Sequence, residues 1–221
     1  MTYWALIWDL DGTIIDSGRD GLARFFIVAR ERGLPITAEM EQKVMSMWGQ
    51  NPRELITSSW SKENVEAFYA DWVAYDAAHP HKLLEGADSL IQELAAWKFY
   101  QAISTSRSRK TTLTQLDHNK LTDCFNRIVC SDDSPYKKPD PRSCEAIVED
   151  LKAFDLGYPK GVLYIGDSLT DYELALALGV TPKLILAGSL STKEEFLASG
   201  VPEESILESI QDLSDMLDAD L

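Results

Sequence analysis

The chain has 221 residues, of which 45% are hydrophobic, and a formal net charge of −15 at pH 7. This length suits one large or two small domains with a substantial core. The negative charge argues against nucleic acid or an anionic membrane surface as a partner. No apolar run approaches the roughly 20 residues that cross a bilayer, and no signal-peptide pattern opens the sequence, so we expect a cytoplasmic protein. The three cysteines, Cys124, Cys130 and Cys144, lack CxxC spacing and are expected to be reduced, mostly buried thiols.

Five short, almost continuous apolar runs predict buried strands. They cover residues 3–8, 99–105, 126–130, 161–165 and 183–187. Helical patterns at 108–121, 140–153 and 171–178 separate the later strands. This alternation predicts a doubly wound α/β fold with a parallel sheet, in which ligands bind at the carboxyl ends of the strands.

The segment between the first two strands is too long for a simple crossover. Helical spacing recurs at 20–32, 37–48, 52–60 and 62–78, so we predict a small all-helical domain over residues 16–83. Residues 1–15 and 84–221 then form the catalytic core. Trp48, Trp60 and Trp72 are expected in the helical core, and His79 and His81 in a linker rather than in a metal site. The tail, 202–221, is predicted to be an acidic terminal helix.

The first of four polar motifs, Asp9-Leu10-Asp11-Gly12-Thr13, follows the first strand. Residues two apart project to the same side of an extended segment, so both carboxylates can face one pocket. Gly12 allows a sharp turn there. Such a pair can divide the work of nucleophile and general acid–base. Alone, the motif is equally typical of an acidic strand end that caps a turn.

The other three motifs follow later strands. Thr105 and Ser106 offer hydrogen bonds to a phosphoryl oxygen, although hydroxyl residues often end strands. Lys138, in a Lys-Pro-Asp-Pro run, could neutralise phosphate charge or lie in a solvated loop. Asp167 and Asp171, four residues apart at a strand-to-helix turn, could share a hard cation or simply cap the helix.

Taken together, the four motifs resemble those of the haloacid dehalogenase superfamily. The run from Asp9 to Ser17, the run from Ile103 to Ser106, Lys138-Pro139-Asp140-Pro141 and Gly166-Asp167-Ser168 with Asp171 are similar to the branch of phosphoglycolate phosphatase and β-phosphoglucomutase. That resemblance spans essentially the whole chain. It implies a Rossmann-like core with a helical cap inserted after the first strand.

The resemblance also implies a Mg²⁺-dependent mechanism. Asp9 would attack phosphorus and form an aspartyl-phosphate, while Asp11 would act as general acid and then base. Thr105 and Lys138 would hold the phosphoryl oxygens. The metal ligands would be Asp9, Asp11 (through its backbone carbonyl), Asp167 and Asp171. Further phosphate- or substrate-binding residues would be Gly12, Ser106 and the cap residue Arg53.

The resemblance leaves several functions open. A phosphatase of a small phosphorylated metabolite, with phosphoglycolate tried first, is the leading prediction, acting as a monomer or homodimer. The alternatives are a sugar phosphomutase, to which Thr13 is less suited than the Val of many mutases, and a pyrophosphatase or 5′-nucleotidase. Asp11 argues against a dehalogenase, and the complete motif set argues against a non-catalytic binding protein. Ser106 and Arg107 stand where relatives often carry Asn and Lys.

Overall fold

The computed structural model describes residues 3–47, 52–154 and 157–219, apart from the side chain of Arg19. The chain divides into two compact units, each with many contacts within itself. The core unit contains Met1–Asp16 and Lys82–Leu221, and the helical unit contains Ser17–His81.

A parallel sheet forms the centre of the core unit. Its strands in the described residues are β1 (Ala5–Trp8), β2 (Tyr100–Ser104), β3 (Arg127–Val129), β4 (Val162–Gly166), β5 (Thr181–Ile185) and β6 (Ile206–Leu207). They lie side by side in the order β3-β2-β1-β4-β5-β6, and every pair is parallel. The chain therefore builds outward from β1 in one direction and then from β4 in the other.

Helices cover both faces of this sheet. Along β1, Leu6 and Trp8 belong to one apolar cluster, whereas Ala5 and Ile7 belong to another. The first cluster includes residues of α5 (Ala87–Ala96), α6 (Arg109–His118) and α10 (Ile210–Asp218), and the second includes residues of α7 (Glu145–Ala153) and α8 (Leu169–Leu178). Strands buried on both faces read as continuous apolar runs. The predicted doubly wound parallel sheet is confirmed.

The last third of the chain differs from the prediction. Residues 202–221 are not one helix, because the short strand β6 pairs with β5 before α10 begins. Strand β5 begins at Thr181, two residues earlier than predicted, and contains Pro182. Helix α9 (Lys193–Ala198), which opens with a capping box between Thr192 and Glu195, was not predicted, nor was α5.

The helical unit consists, in its described residues, of α1 (Gly18–Glu31), α2 (Ala38–Ser46), α3 (Pro52–Ser59) and α4 (Val65–Ala78). Thr37 and Asn64 cap the starts of α2 and α4 through their side-chain oxygens. Phe25 packs against Trp60 and Phe68 with ring centroids 5.6 and 5.0 Å away. Trp60 is buried and Trp72 packs partly buried against this core, as predicted, while Trp48 lies outside the described residues.

A partly buried ion cluster joins the two ends of the helical unit. Arg24 of α1 pairs with Asp20 at 2.7 Å and with Asp76 of α4 at 3.1 Å. Its guanidinium also donates to the carbonyl of His79. The His81 ring is 1% exposed, and its two nitrogens lie 2.8 Å from Asp20 and 3.1 Å from Asp76. The buried His81 ring therefore belongs to a charge network, which its predicted position in a linker did not reveal.

Among the described residues, none of the helices has both the length and the apolar character that crossing a bilayer requires. The three cysteines are free thiols, with Cys130 and Cys144 buried and Cys124 partly buried, in agreement with the prediction.

Candidate active site

The predicted acidic residues lie at the carboxyl ends of β1 and β4. The strand order reverses between these neighbours, which is where open α/β sheets bind their ligands. Asp9 directly follows β1, and its backbone N–H donates to the Ile165 carbonyl of β4 at 2.8 Å. Asp167 directly follows Gly166, the last residue of β4.

Lys138 connects Asp9 to Asp171. Its Nζ lies 2.6 Å from Oδ1 of Asp9 and 2.8 Å from Oδ1 of Asp171. The lysine side chain is 6% exposed and its Nζ lies 5.5 Å from the ring centroid of Tyr164. Lys138 is therefore part of the buried site and not a solvated loop residue.

The first loop packs tightly against its neighbours. Gly12 has a φ of 75°, and a Cβ on it would lie 2.2 Å from Oδ2 of Asp167. A Cβ on Gly188 would lie 2.1 Å from the Gly12 carbonyl oxygen. Both positions therefore require glycine, since real Cβ atoms do not approach other atoms so closely. Gly12 brings the loop of Asp9 and Asp11 against Asp167.

Asp171 is fixed by groups around the start of α8. Ser168 caps the helix by accepting from the Asp171 N–H, and its hydroxyl donates to Oδ2 of Asp171 at 2.6 Å. The Tyr164 hydroxyl reaches Oδ1 at 3.4 Å. Both oxygens of Asp171 thus already accept hydrogen bonds from the protein. The positioning roles of Ser168 and Tyr164 were not predicted, since capping serines are common and Tyr164 reads as an ordinary strand residue.

Burial and mutual repulsion change the acidity of these groups. Burial raises the pKa of Asp9 to about 7; Lys138 opposes this rise, whereas Asp171 and Asp11 add to it. Burial also raises the pKa of Asp167 well above its usual range, and Asp171 and Asp9 contribute to that rise. Burial by itself would lower the pKa of Lys138, but Asp171 and Asp9 hold it well above its usual range. The lysine is therefore charged, yet the carboxylates around it still repel one another.

This acidic cluster fits a divalent cation. Asp9, Asp167 and Asp171 each offer a carboxylate oxygen, and these three atoms lie within 4.8 Å of one another. Hard cations such as Mg²⁺ prefer oxygen ligands of this kind. A bound cation would offset both the burial and the mutual repulsion that raise the pKa values of Asp9 and Asp167. The donor set therefore suits the metal that the sequence predicted.

Three of the predicted phosphate-binding residues, Thr105, Ser106 and Lys138, line one small depression, and Gly12 is not part of its lining. Its lining includes Ser104, Thr105, Ser106, Ser143 and Lys138. The Thr105 N–H already donates a hydrogen bond to the Val129 carbonyl at 3.0 Å. The Oγ1 of Thr105 accepts a hydrogen bond from the Arg107 N–H at 3.1 Å. The hydroxyl hydrogen of Thr105 is thus the group that it can offer to an anion.

Asp11 forms an ion pair with Arg107. The arginine Nη2 lies 2.5 Å from Oδ1 of Asp11, and its Nε lies 3.0 Å from Oδ2. The sequence marked Arg107 only as a departure from the family pattern and did not predict this contact. The one indication in the sequence that Arg107 lies near the site is its position two residues after Thr105.

Arg53, the predicted substrate contact in the cap, lies on α3 of the helical unit. It pairs with Glu66 at 2.6 Å, and its guanidinium carbon lies 4.2 Å from the Tyr69 ring centroid. The arginine side chain is 47% exposed. Contact between Arg53 and substrate stays a prediction.

Comparison with known proteins agrees with this fold and site. Residues 6–185 match the family model of haloacid dehalogenase-like hydrolases. A phosphoglycolate phosphatase from Rhodobacter capsulatus is 31% identical over 186 residues, covering 80% of this chain and 81% of the relative. An N-acetylmuramic acid 6-phosphate phosphatase from Pseudomonas putida is 23% identical and covers 86% of each chain. The solved structure of a haloacid dehalogenase-like family hydrolase from Streptococcus pneumoniae superposes with a TM-score of 0.75 at 19% identity, covering 98% of this chain and 99% of that chain.

The chain therefore belongs to the haloacid dehalogenase-like hydrolase family. This confirms the resemblance drawn from the four motifs. The predicted enzyme class, a phosphatase of this family, agrees with the names of the two curated relatives.

Proposed function

We propose that the chain is a Mg²⁺-dependent phosphatase that hydrolyses a small phosphorylated metabolite through an aspartyl-phosphate on Asp9. The observation that carries this proposal is the buried contact between Asp9 and Lys138, 2.6 Å long, at the switch point of the sheet. A carboxylate held beside a buried lysine combines a nucleophile with a cation for the phosphoryl group.

In the first step, a carboxylate oxygen of Asp9 forms a bond to phosphorus while the bond from phosphorus to the ester oxygen breaks. Lys138 and the Thr105 hydroxyl bind the phosphoryl oxygens, and Ser106 lines the same depression. Phosphoryl transfer depends mainly on such positioning and charge neutralisation. Gly12 contributes by letting the loop approach Asp167.

Asp11 handles the protons of both steps. It gives a proton to the departing ester oxygen, which leaves as an alcohol. Water then attacks the phosphorus of the aspartyl-phosphate and passes a proton to Asp11, so that inorganic phosphate leaves and Asp9 is restored. A carboxyl group that alternates between acid and base is ready for the next turnover after each cycle.

Mg²⁺ would be held by the carboxylates of Asp9 and Asp167, together with the Asp11 backbone carbonyl and Asp171. When bound, the metal supplies positive charge that stabilises the transferring phosphoryl group. Asp171 would serve a second purpose, because its oxygens also accept hydrogen bonds from Lys138 and from Ser168 at the start of α8.

Phosphoglycolate is the first substrate to test, since the Rhodobacter capsulatus relative carries that name at 31% identity. The site itself contains the phosphate-handling groups that any phosphate monoester needs. We place selection among monoesters in the helical unit, with Arg53 as its candidate contact, and the enzyme in the cytoplasm.

The test is phosphate release from purified protein, with Mg²⁺ and with a chelator in its place. The panel contains phosphoglycolate, pyrophosphate, nucleoside monophosphates and sugar phosphates, and Asp9→Asn serves as the matched inactive variant. We expect release from at least one monoester that depends on both Mg²⁺ and Asp9. Isomerisation of a sugar phosphate without phosphate release would instead identify a mutase, and equal release by Asp9→Asn would contradict the proposal.

A further inference from the structure

Arg107 makes an ordered, side-on contact with Asp11. Nε lies 3.2 Å from Oδ1 and 3.0 Å from Oδ2, while Nη2 lies 2.5 Å from Oδ1. The arginine side chain is 14% exposed, whereas that of Asp11 is 37% exposed. A guanidinium that meets both oxygens of a carboxylate fixes the plane of that carboxylate as well as its distance.

The backbone of Arg107 is also fixed. Its N–H donates to Oγ1 of Thr105 at 3.1 Å, and its carbonyl accepts from the Ser131 N–H at 2.9 Å. The arginine therefore extends from a segment between β2 and α6 that two backbone hydrogen bonds anchor and that also carries Thr105, the proposed phosphate-binding residue. Its position relative to the site does not depend on a loose loop.

Asp11 needs such a partner because other carboxylates repel it. It lies two residues from Asp9, and its neighbour Gly12 packs so closely against Asp167 that a Cβ there would lie 2.2 Å from Oδ2 of that carboxylate. A partly exposed carboxylate in that field gains by rotating toward solvent. An acid–base group must instead stay within hydrogen-bond reach of the atom that it protonates.

We propose that Arg107 is a positioning residue that holds the Asp11 carboxylate at the leaving-group side of the reacting phosphate. The inference rests on the proposed function, since it takes Asp11 as the acid that protonates the ester oxygen. It goes further by assigning a role to a residue outside the four motifs. Arg107 acts through Asp11 and not on the phosphorus.

The test exploits the leaving group. Ethyl phosphate, the alkyl phosphate of this test, has a poor alkoxide leaving group and needs a proton on its departing oxygen, whereas p-nitrophenyl phosphate releases a stable phenolate without one. We compare kcat/KM for both substrates, because this constant covers only the steps up to transfer of the phosphoryl group to Asp9. Correct acid catalysis is worth roughly 100- to 10,000-fold.

Arg107→Gln should lower kcat/KM for the alkyl phosphate by about 100-fold and that for p-nitrophenyl phosphate by less than about 5-fold. Arg107→Lys keeps the charge but not the two-point contact, so it should fall between wild type and Arg107→Gln for the alkyl phosphate. The matched control is Arg127→Gln. Arg127 makes a similar two-point pair with Asp150, at 2.7 Å for each contact, but on the partly exposed strand β3.

A double-mutant cycle tests whether Arg107 works through Asp11. If it does, adding Arg107→Gln to Asp11→Asn should cause little further loss with the alkyl phosphate. Additive losses would overturn the proposal. Equal losses with both substrates would assign Arg107 to charge neutralisation of the phosphate instead. Phosphoglycolate is assayed as a third substrate, and a loss confined to it would assign Arg107 to direct binding of the substrate carboxylate.

The two proposals fail in different ways. A wild-type protein that releases phosphate from no substrate contradicts the proposed function itself. An active wild type in which Asp11→Asn is selective for the alkyl phosphate, while Arg107→Gln is not, overturns only the role of Arg107. Circular dichroism of each variant, compared with that of Arg127→Gln, shows whether the variant is still folded. A folded variant with reduced activity has lost the position of the Asp11 carboxylate and not the fold.

Discussion

Replacing Lys138 by methionine removes the cation between two buried carboxylates. Its Nζ lies 2.6 Å from Asp9 and 2.8 Å from Asp171. At such distances each attraction amounts to about 6 kcal/mol at an effective dielectric constant of about 20. Desolvation offsets part of this energy, and removing one partner of a buried ion pair costs about 3–5 kcal/mol net.

We therefore expect Lys138→Met to lower the melting temperature in Mg²⁺-free buffer at pH 7 by roughly 6–20 °C, at about 2–4 °C per kcal/mol for a chain of this size. Phosphate release should fall at least about 100-fold, as when a preorganised electrostatic group is removed. Differential scanning calorimetry and a phosphate assay measure the two effects.

The control is Lys137→Met, which changes the neighbouring lysine in the same way. Lys137 is exposed, and surface substitutions usually change stability by less than about 0.5 kcal/mol. If Lys138→Met has the same melting temperature as this control and retains its activity, the assignment of Lys138 to the buried site is refuted.

Three further predictions test the loop, the helical unit and the acidic cluster. Gly12→Ala should reduce both the melting temperature and phosphate release far more than Gly33→Ala. The two glycines have similar φ values, 75° and 69°, so the backbone strain of an alanine is similar at both. Only at Gly12 would the added Cβ also clash with Asp167, at 2.2 Å from its Oδ2. Arg24→Met should destabilise the protein by about 1–3 kcal/mol in urea unfolding, because the buried arginine loses its pairs with Asp76 and Asp20, whose side chains are 13% and 45% exposed. The pKa of Asp9 rises from 3.8 to about 7 on folding, so its contribution to stability is full below pH 4 and is lost as the pH rises through about 7. In Mg²⁺-free buffer the melting temperature should fall across that window, and less so in Asp9→Asn.

Each of these has a clear contrary result. Equal effects of the two glycine substitutions would show that only backbone strain matters at Gly12. A loss below about 1 kcal/mol for Arg24→Met would be typical of a surface ion pair and would contradict a structural role for the partly buried cluster. An Asp9→Asn melting curve with the same pH dependence as wild type would contradict the raised pKa of Asp9.

The local pattern of apolar residues was sufficient to predict where the central strands lie. Strands such as β1 and β4 are buried on both faces, so their apolar runs are continuous and their ends lie within two residues of the prediction. Strand β6 has only two residues, which is too short for any periodic signal. Helices α5 and α9 do have sequence signals: Leu90, Ile91 and Leu94 recur at helical spacing in α5, and a capping box begins α9.

The site was predictable only in part, because its contacts join distant parts of the chain. The motif spacing placed Asp9 and Asp167 at strand ends, and the structure brings them together with Asp171. The contact between Arg107 and Asp11 spans 96 residues, and no spacing rule connects the two. The network of Arg24 and His81 likewise depends on how α1 meets α4 and could not be predicted from either segment alone.

The most direct test of the central claim is to locate the covalent phosphoryl group. Wild-type protein is quenched during turnover and reduced with borohydride, which converts an aspartyl-phosphate to homoserine, and peptides are then mapped by mass spectrometry. We predict homoserine at residue 9, with none in Asp9→Asn or in protein quenched without substrate. An active enzyme that gives no modification, or a modification at another aspartate, would contradict Asp9 as the nucleophile.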